Sequence, residues 1–135
     1  MILIIIVIVP IYGRNEDVKI TVKITNIEDV KGFLEISFYN RSDDFPKENK
    51  QYKMKRVKVS SPSMSVSFEL PKGVWALAMY QDLNNDKKCN LNFFGIPREP
   101  YGFSNNVKPI LSAPSFDRCK FNLYKPKTIS VKLIH

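Results

Sequence analysis

Hydrophobic positions along this chain recur at every second residue far more often than at helical spacing. Val18, Ile20, Val22 and Ile24 alternate with Lys19, Thr21, Lys23 and Thr25. A helix cannot gather that period on one side, so it predicts a half-buried strand. Leu34, Ile36 and Phe38 repeat the pattern after Gly32, and the polar stretch from Asn40 to Asn49, interrupted by Pro46, predicts a loop or short helical turn. From Tyr52 to Val59 the apolar parity slips between Met54 and Val57, while Lys53, Lys55, Arg56 and Lys58 supply charge. An edge strand with a bulge accounts for both features, because lysines and bulges protect sheet edges.

Met64, Val66, Phe68 and Leu70 alternate with Ser65, Ser67 and Glu69, and a Pro71-Lys72-Gly73 turn leads into Val74 to Tyr80. This reads as a hairpin whose second strand, apolar on both sides, is central and covered on both faces. Ala76 and Ala78 would leave room there for close packing, and Trp75 is expected as a core anchor. Cys119, Phe121 and Leu123, a Lys125-Pro126-Lys127 turn, and Ile129, Val131 and Leu133 predict a second hairpin. With no amphipathic helix in view, the expected fold is all-β: a single antiparallel β-sandwich, immunoglobulin-like or transthyretin-like, of about seven strands. One long ordered loop, Gln81 to Asp117, joins the two hairpins.

Length and composition narrow this further. At 135 residues and 44% hydrophobic content, one core is expected. Met1 to Val9 is almost purely aliphatic, too short to span a bilayer as a helix and of the right length for the apolar region of a secretory signal. Residues 1–13 are therefore expected to be a leader and 14–135 the domain; a buried first strand is the alternative. Twenty-one basic against thirteen acidic residues give a net charge of +8. That excess suits an anionic partner, but the lysines sit at alternate strand positions and in loops, as a solvated face places them. Nucleic-acid binding would call for aromatics interleaved with the basic residues, and only Tyr52 stands among them. Cys89 and Cys119 have no metal-ligand spacing; they form one bridge in an exported chain or serve as two small buried hydrophobes.

Chemistry is sought first in the connection after Tyr80. Asp82, Asn84, Asp86 and Asn90 place oxygen side chains at loop positions one, three, five and nine, and the Lys88 carbonyl is available at position seven, the spacing that aims oxygens at a hard cation. Lys87 stands where an EF-hand loop has its glycine, and Phe93 where a closing glutamate belongs. Calcium affinity would then lie at the weak extracellular end, roughly 0.1 to 1 mM. The alternative is an Asx-rich turn whose side chains cap backbone N–H groups. Downstream, Tyr101, Phe103, Asn105 and Asn106 are candidate ligand contacts by stacking and amide hydrogen bonds, or else a plug for the sandwich end.

The run from Asp82 through the Asn92-Phe93-Phe94-Gly95-Ile96-Pro97 and Tyr101-Gly102-Phe103-Ser104-Asn105-Asn106 stretches resembles the diagnostic block of the bacterial domain of unknown function 2141 family. Gly32 with the Leu34 to Tyr39 strand, Phe45-Pro46, the Leu70 to Gly73 turn and Pro114-Ser115-Phe116 extend the likeness to roughly Val18 to Leu133. Lys87 and Asn90 depart from that family's usual glycine and final aspartate. The resemblance implies an exported protein and no particular catalysis.

Catalytic groups are scarce. His135 at the C-terminus is the only histidine, and neither a nucleophile elbow nor a glycine-rich phosphate loop occurs. The expectation is a non-enzymatic domain in the periplasm, secreted or envelope-associated, acting as a binding or accessory module for a protein, peptide or glycan. A structural or assembly component of the cell envelope is the competing reading.

Overall fold

The alternating segments all become strands. The computed structural model describes residues 2–6, 16–88 and 99–135. Among these are β1 (Val18–Thr25), β2 (Phe33–Tyr39), β3 (Lys53–Lys58), β4 (Met64–Leu70), β5 (Gly73–Asp82), β6 (Tyr101–Phe103), β7 (Phe121–Leu123) and β8 (Lys127–Lys132). Two short 3-10 turns, Ser42–Asp44 and Ser104–Asn106, and one helical turn, α1 (Phe116–Cys119), complete the described elements.

The strands form two sheets. The smaller has the order β4-β1-β8; the larger runs β3-β2-β5-β6, with β7 also on β5. Inward-facing residues of both sheets make the main core: Ile20, Val22 and Ile24 of β1 meet Leu34, Ile36 and Phe38 of β2 and Trp75 and Leu77 of β5, all buried. Each such side chain removed from water contributes roughly 1.5–3 kcal/mol. Trp75 is the anchor expected of it, 1% exposed, and its indole N–H donates to the Pro71 carbonyl at 2.9 Å.

Four expectations change. The segments either side of Pro71-Lys72-Gly73 are not a hairpin, because β4 pairs with β1 in one sheet while β5 pairs with β2 in the other. The turn instead carries the chain across the core. The second expected hairpin is likewise a crossing, with β7 on β5 and β8 on β1. Period-two alternation marks the buried face of a strand and carries no information about which edge it bonds to. Consequently the sandwich is not wholly antiparallel: β1 and β8 run parallel. Finally, β3 is the expected edge strand but has no bulge, since its register with β2 is continuous from Phe33↔Lys58 to Phe38↔Lys53. The parity slip arises because Met54 faces outward and is exposed while Val57 packs on the core.

Ile2 to Ile6 are exposed and in no strand, so this part of the apolar run is not a buried first strand. Cys119 is buried and free, the small hydrophobe of the two alternatives, and burial pushes its thiol up to about 11 against a small opposing pull from Arg118. Cys89 lies outside the described residues. Among the described residues no helix is long and apolar enough to cross a membrane.

Candidate functional site

The larger sheet is apolar on its inner face and mixed on its outer face, where side chains converge. Alternation along β2 turns Phe33, Glu35, Ser37 and Tyr39 outward, and along β5 it does the same for Ala76, Ala78, Tyr80 and Asp82. The register aligns them in rows across the strands. Arg56, Glu35, Tyr80 and Tyr101 lie in one row; Met54, Ser37, Ala78 and Phe103 lie in the next. Tyr39 opposite Ala76 follows.

The middle row has small residues at its centre, and the consequence is a groove of about 300 Å3. Ser37 and Ala78 form its floor, Tyr80 and Tyr101 one wall, Tyr39 and Phe103 further aromatic lining. Pro46, Lys47, Glu48 and Gln51 close it from the loop after β2, and Ala113 from the loop before α1. The room expected from Ala76 and Ala78 is thus divided: Ala76 is fully buried beneath a second apolar cluster with Tyr39, Phe45 and Phe103, whereas Ala78 floors the groove. That cluster is held by edge-to-face rings, Tyr39 on Phe45 at 5.2 Å and Phe45 on Phe103 at 6.1 Å between centroids.

Two hydroxyls at the groove are already oriented by the protein. Tyr39 donates its hydroxyl to the Lys47 carbonyl at 3.0 Å, and Tyr80 donates to Glu35 Oε2 at 2.8 Å. Burial, reinforced by the charges of Glu35 and Glu48, pushes the Tyr39 phenol up to about 12. Burial also raises Tyr101.

Beyond Glu35 the face turns ionic. Arg56 donates to Glu35 Oε2 at 3.1 Å, to Asp82 Oδ2 at 2.7 Å and to Asn85 Oδ1 at 2.8 Å, with its guanidinium 4.5 Å above the Phe33 ring. Asp82 is fully buried, and burial alone would raise its pKa. The Arg56 hydrogen bond and charge, with the N–H groups of Lys87 and Asp86, outweigh that and hold the carboxyl below its ordinary value. Arg56 is itself driven above the usual guanidinium value by Asp82 and Glu35, despite its own desolvation.

Asp82 is also the head of the turn expected to hold a cation. Its Oδ1 accepts from Asp86 N at 3.2 Å and its Oδ2 from Lys87 N at 2.8 Å. Asn84 Oδ1 accepts from Asp86 N at 3.2 Å, and Asp86 Oδ1 from Lys88 N at 2.9 Å. The loop residues are thus arranged as an Asx-type turn, with Asn85 and Lys87 in the left-handed region at φ 55° and 60°. Lys88, expected through its carbonyl, is held by its N–H, and Asn90 lies outside the described residues. Glu99, which sequence spacing did not single out, accepts from Leu83 N at 2.7 Å and brings a third carboxylate: oxygens of Asp82, Asp86 and Glu99 lie within 4.8 Å of one another. Gly32 makes the approach of β2 to this turn feasible, because at φ +69° a Cβ there would sit 2.1 Å from the Asp82 carbonyl oxygen.

The four candidate contact residues separate into two pairs. Tyr101 and Phe103 are only 8% and 5% exposed, yet both line the groove, so they are wall rather than platform. Asn105 and Asn106 are exposed but their amides are committed to backbone: Asn105 donates to Arg118 O and Lys120 O, and Asn106 bonds Ser130 O and Lys132 N along the edge of β8. Glu35, Ser37, Tyr39 and Arg56 were missed as site residues. Their only sequence signal is parity, being the outward positions of strands whose inward positions are apolar.

No curated protein and no solved structure matches the chain. A family model described as uncharacterized protein conserved in bacteria (DUF2141) matches residues 22–131, a span that takes in both sheets, the outer-face groove and the acidic turn. The chain belongs to the DUF2141 family.

Proposed function

We propose that this domain is an exported, non-catalytic binding module whose ligand seat is the groove over Ser37 and Ala78. The observation that carries the reading is the concave, aromatic-lined pocket on a sheet face otherwise sealed by its own side chains. At about 300 Å3 it is at the small end of ligand sites, suited to one side chain or one sugar ring of a peptide or glycan. Export is supported by the aliphatic run before Pro10, whose described part stands outside the core. His135 gives no sign of a catalytic role: it bonds the Asn26 carbonyl and lies 3.6 Å from Glu28. An assembly role through open strand edges is less well supported, since Lys53 and Lys55 of edge strand β3 reach across to backbone carbonyls of β4.

Methyl NMR on alanine-labelled protein tests the reading. Monosaccharides, amino-acid amides and small organic cations are titrated, and at least one is expected to shift Ala78 and Ala113 and to lose that effect in Ala78→Leu, which fills the floor. Silence at Ala78 across the panel would overturn it.

A second reading concerns the turn. The convergence of Asp82, Asp86 and Glu99 supports a weak calcium site, opposed by Arg56, which already neutralises Asp82. Calorimetric titration is expected to give a dissociation constant no tighter than about 1 mM. Absence of heat at that concentration and above, in wild type and Asp86→Asn alike, removes calcium from the account.

A further inference from the structure

The groove's lining identifies the class of ligand more closely than its size does, and this inference rests on the groove being the ligand seat. Three tyrosines and a phenylalanine line it, together with Ser37, Gln51, Lys47, the carboxylate of Glu48 and that of Glu35, which Arg56 and Tyr80 already engage. The hydroxyls of Tyr39 and Tyr80 aim their protons into the protein, at Lys47 O and Glu35. Neither of these two hydroxyls is therefore left to donate to an occupant. Glu35 and Glu48 both raise the Tyr39 phenol, so their negative field is felt within the lining even though the whole chain carries +8.

Aromatic surface with nearby carboxylate attracts a cation, and a cation whose charge is spread over methyl groups gains from ring contact without needing an acceptor for each N–H. We propose that the groove binds the quaternary ammonium group of a free small molecule. Glu48 at the rim argues against a phosphorylated carrier such as a lipid headgroup, because a phosphate two carbons from the ammonium would approach that carboxylate.

Choline and its uncharged isostere 3,3-dimethyl-1-butanol have the same shape and differ in charge, so the pair isolates the cation. Titrated into the alanine-labelled protein, choline is expected to shift Ala78 with at least about tenfold higher affinity than the isostere. In Glu48→Gln, an exposed position, choline is expected to weaken about threefold with the isostere unchanged. Phosphocholine should bind more weakly than choline. Equal affinity for choline and the isostere overturns the cation assignment and leaves the groove reading standing; so does silence toward choline while a neutral sugar or amide shifts Ala78. Tighter binding of phosphocholine, or of phosphatidylcholine vesicles, overturns the assignment to an unphosphorylated molecule. Silence toward every probe is the separate failure of the groove itself.

Discussion

Asp82 is a carboxylate removed from water and still ionised, which only its partners explain. A lone buried carboxylate would take up a proton, whereas this one meets a guanidinium at 2.7 Å and two backbone N–H groups. Its pKa in the fold is therefore lower than in the unfolded chain. The unfolded state binds the proton more readily, so the pair's contribution is complete above about pH 4 and is lost as pH falls through the folded value. Urea unfolding of wild type and Asp82→Asn should show a stability gap that is level from neutral pH to about 5 and narrows below about 4. A gap independent of pH would contradict the ionised pair. Arg56→Ala at neutral pH is expected to cost about 2–4 kcal/mol, since it strands a buried charge. At this scale the sequence was half legible: the oxygen spacing of Asp82, Asn84 and Asp86 is visible along the chain, but Arg56 lies 26 positions from Asp82 and nothing local links them.

Elements were easier to see than their partners. Alternation marks β1, β4 and β8 because each buries one face and β2 because its inward positions are apolar, and the two-sided apolar run marks β5 because it is covered twice. Pairing depends on which edges are free, and that is settled by contacts far apart in sequence. The crossing turns therefore looked like hairpins, and the short β6 was hidden in a Gly- and Asn-rich connection. A similar long-range contact ties three elements at Ser104. Its Oγ accepts from Leu77 N of β5 at 2.9 Å and donates to Cys119 O of α1 at 2.6 Å, and the residue is 1% exposed. Ser104→Ala leaves the Leu77 N–H buried without that acceptor, at an expected cost of about 1–3 kcal/mol in denaturant unfolding. Slowed amide exchange at Leu77 should be lost in parallel. If both measures stay at the wild-type level, the hydroxyl is not the link between β5 and α1.

Over the whole molecule, the open side of the sandwich lies between β3 and β4. Lys53 donates to Glu69 O at 2.9 Å, and Lys55 donates to Ser67 O with its ammonium 4.8 Å from the Phe68 ring centroid. Two carbonyls of β4 are thereby engaged, and a charge stands where another strand would have to dock. Replacing both lysines by threonine should leave the fold intact and promote concentration-dependent self-association in sedimentation velocity; a variant that stays monomeric would show that the edge is guarded by something else. The lysines were read from the sequence as edge protection, and the target of that protection, a strand in the other sheet, emerged only with the layering.

The parallel pairing of β1 with β8 has a consequence for the order of events during synthesis. Among the described strands β1 is made first and β8 last, so the smaller sheet lacks one of its three described members until β8 has left the ribosome. Before then the β8 edge of β1 is unpaired and Val131 is missing from the core beside Ile24. A nascent chain of this topology should complete the smaller sheet only after β8 is made, because native burial of β1 waits on contacts of long sequence separation. If the chain is exported, as proposed, that delay would keep it competent for passage until β8 is available.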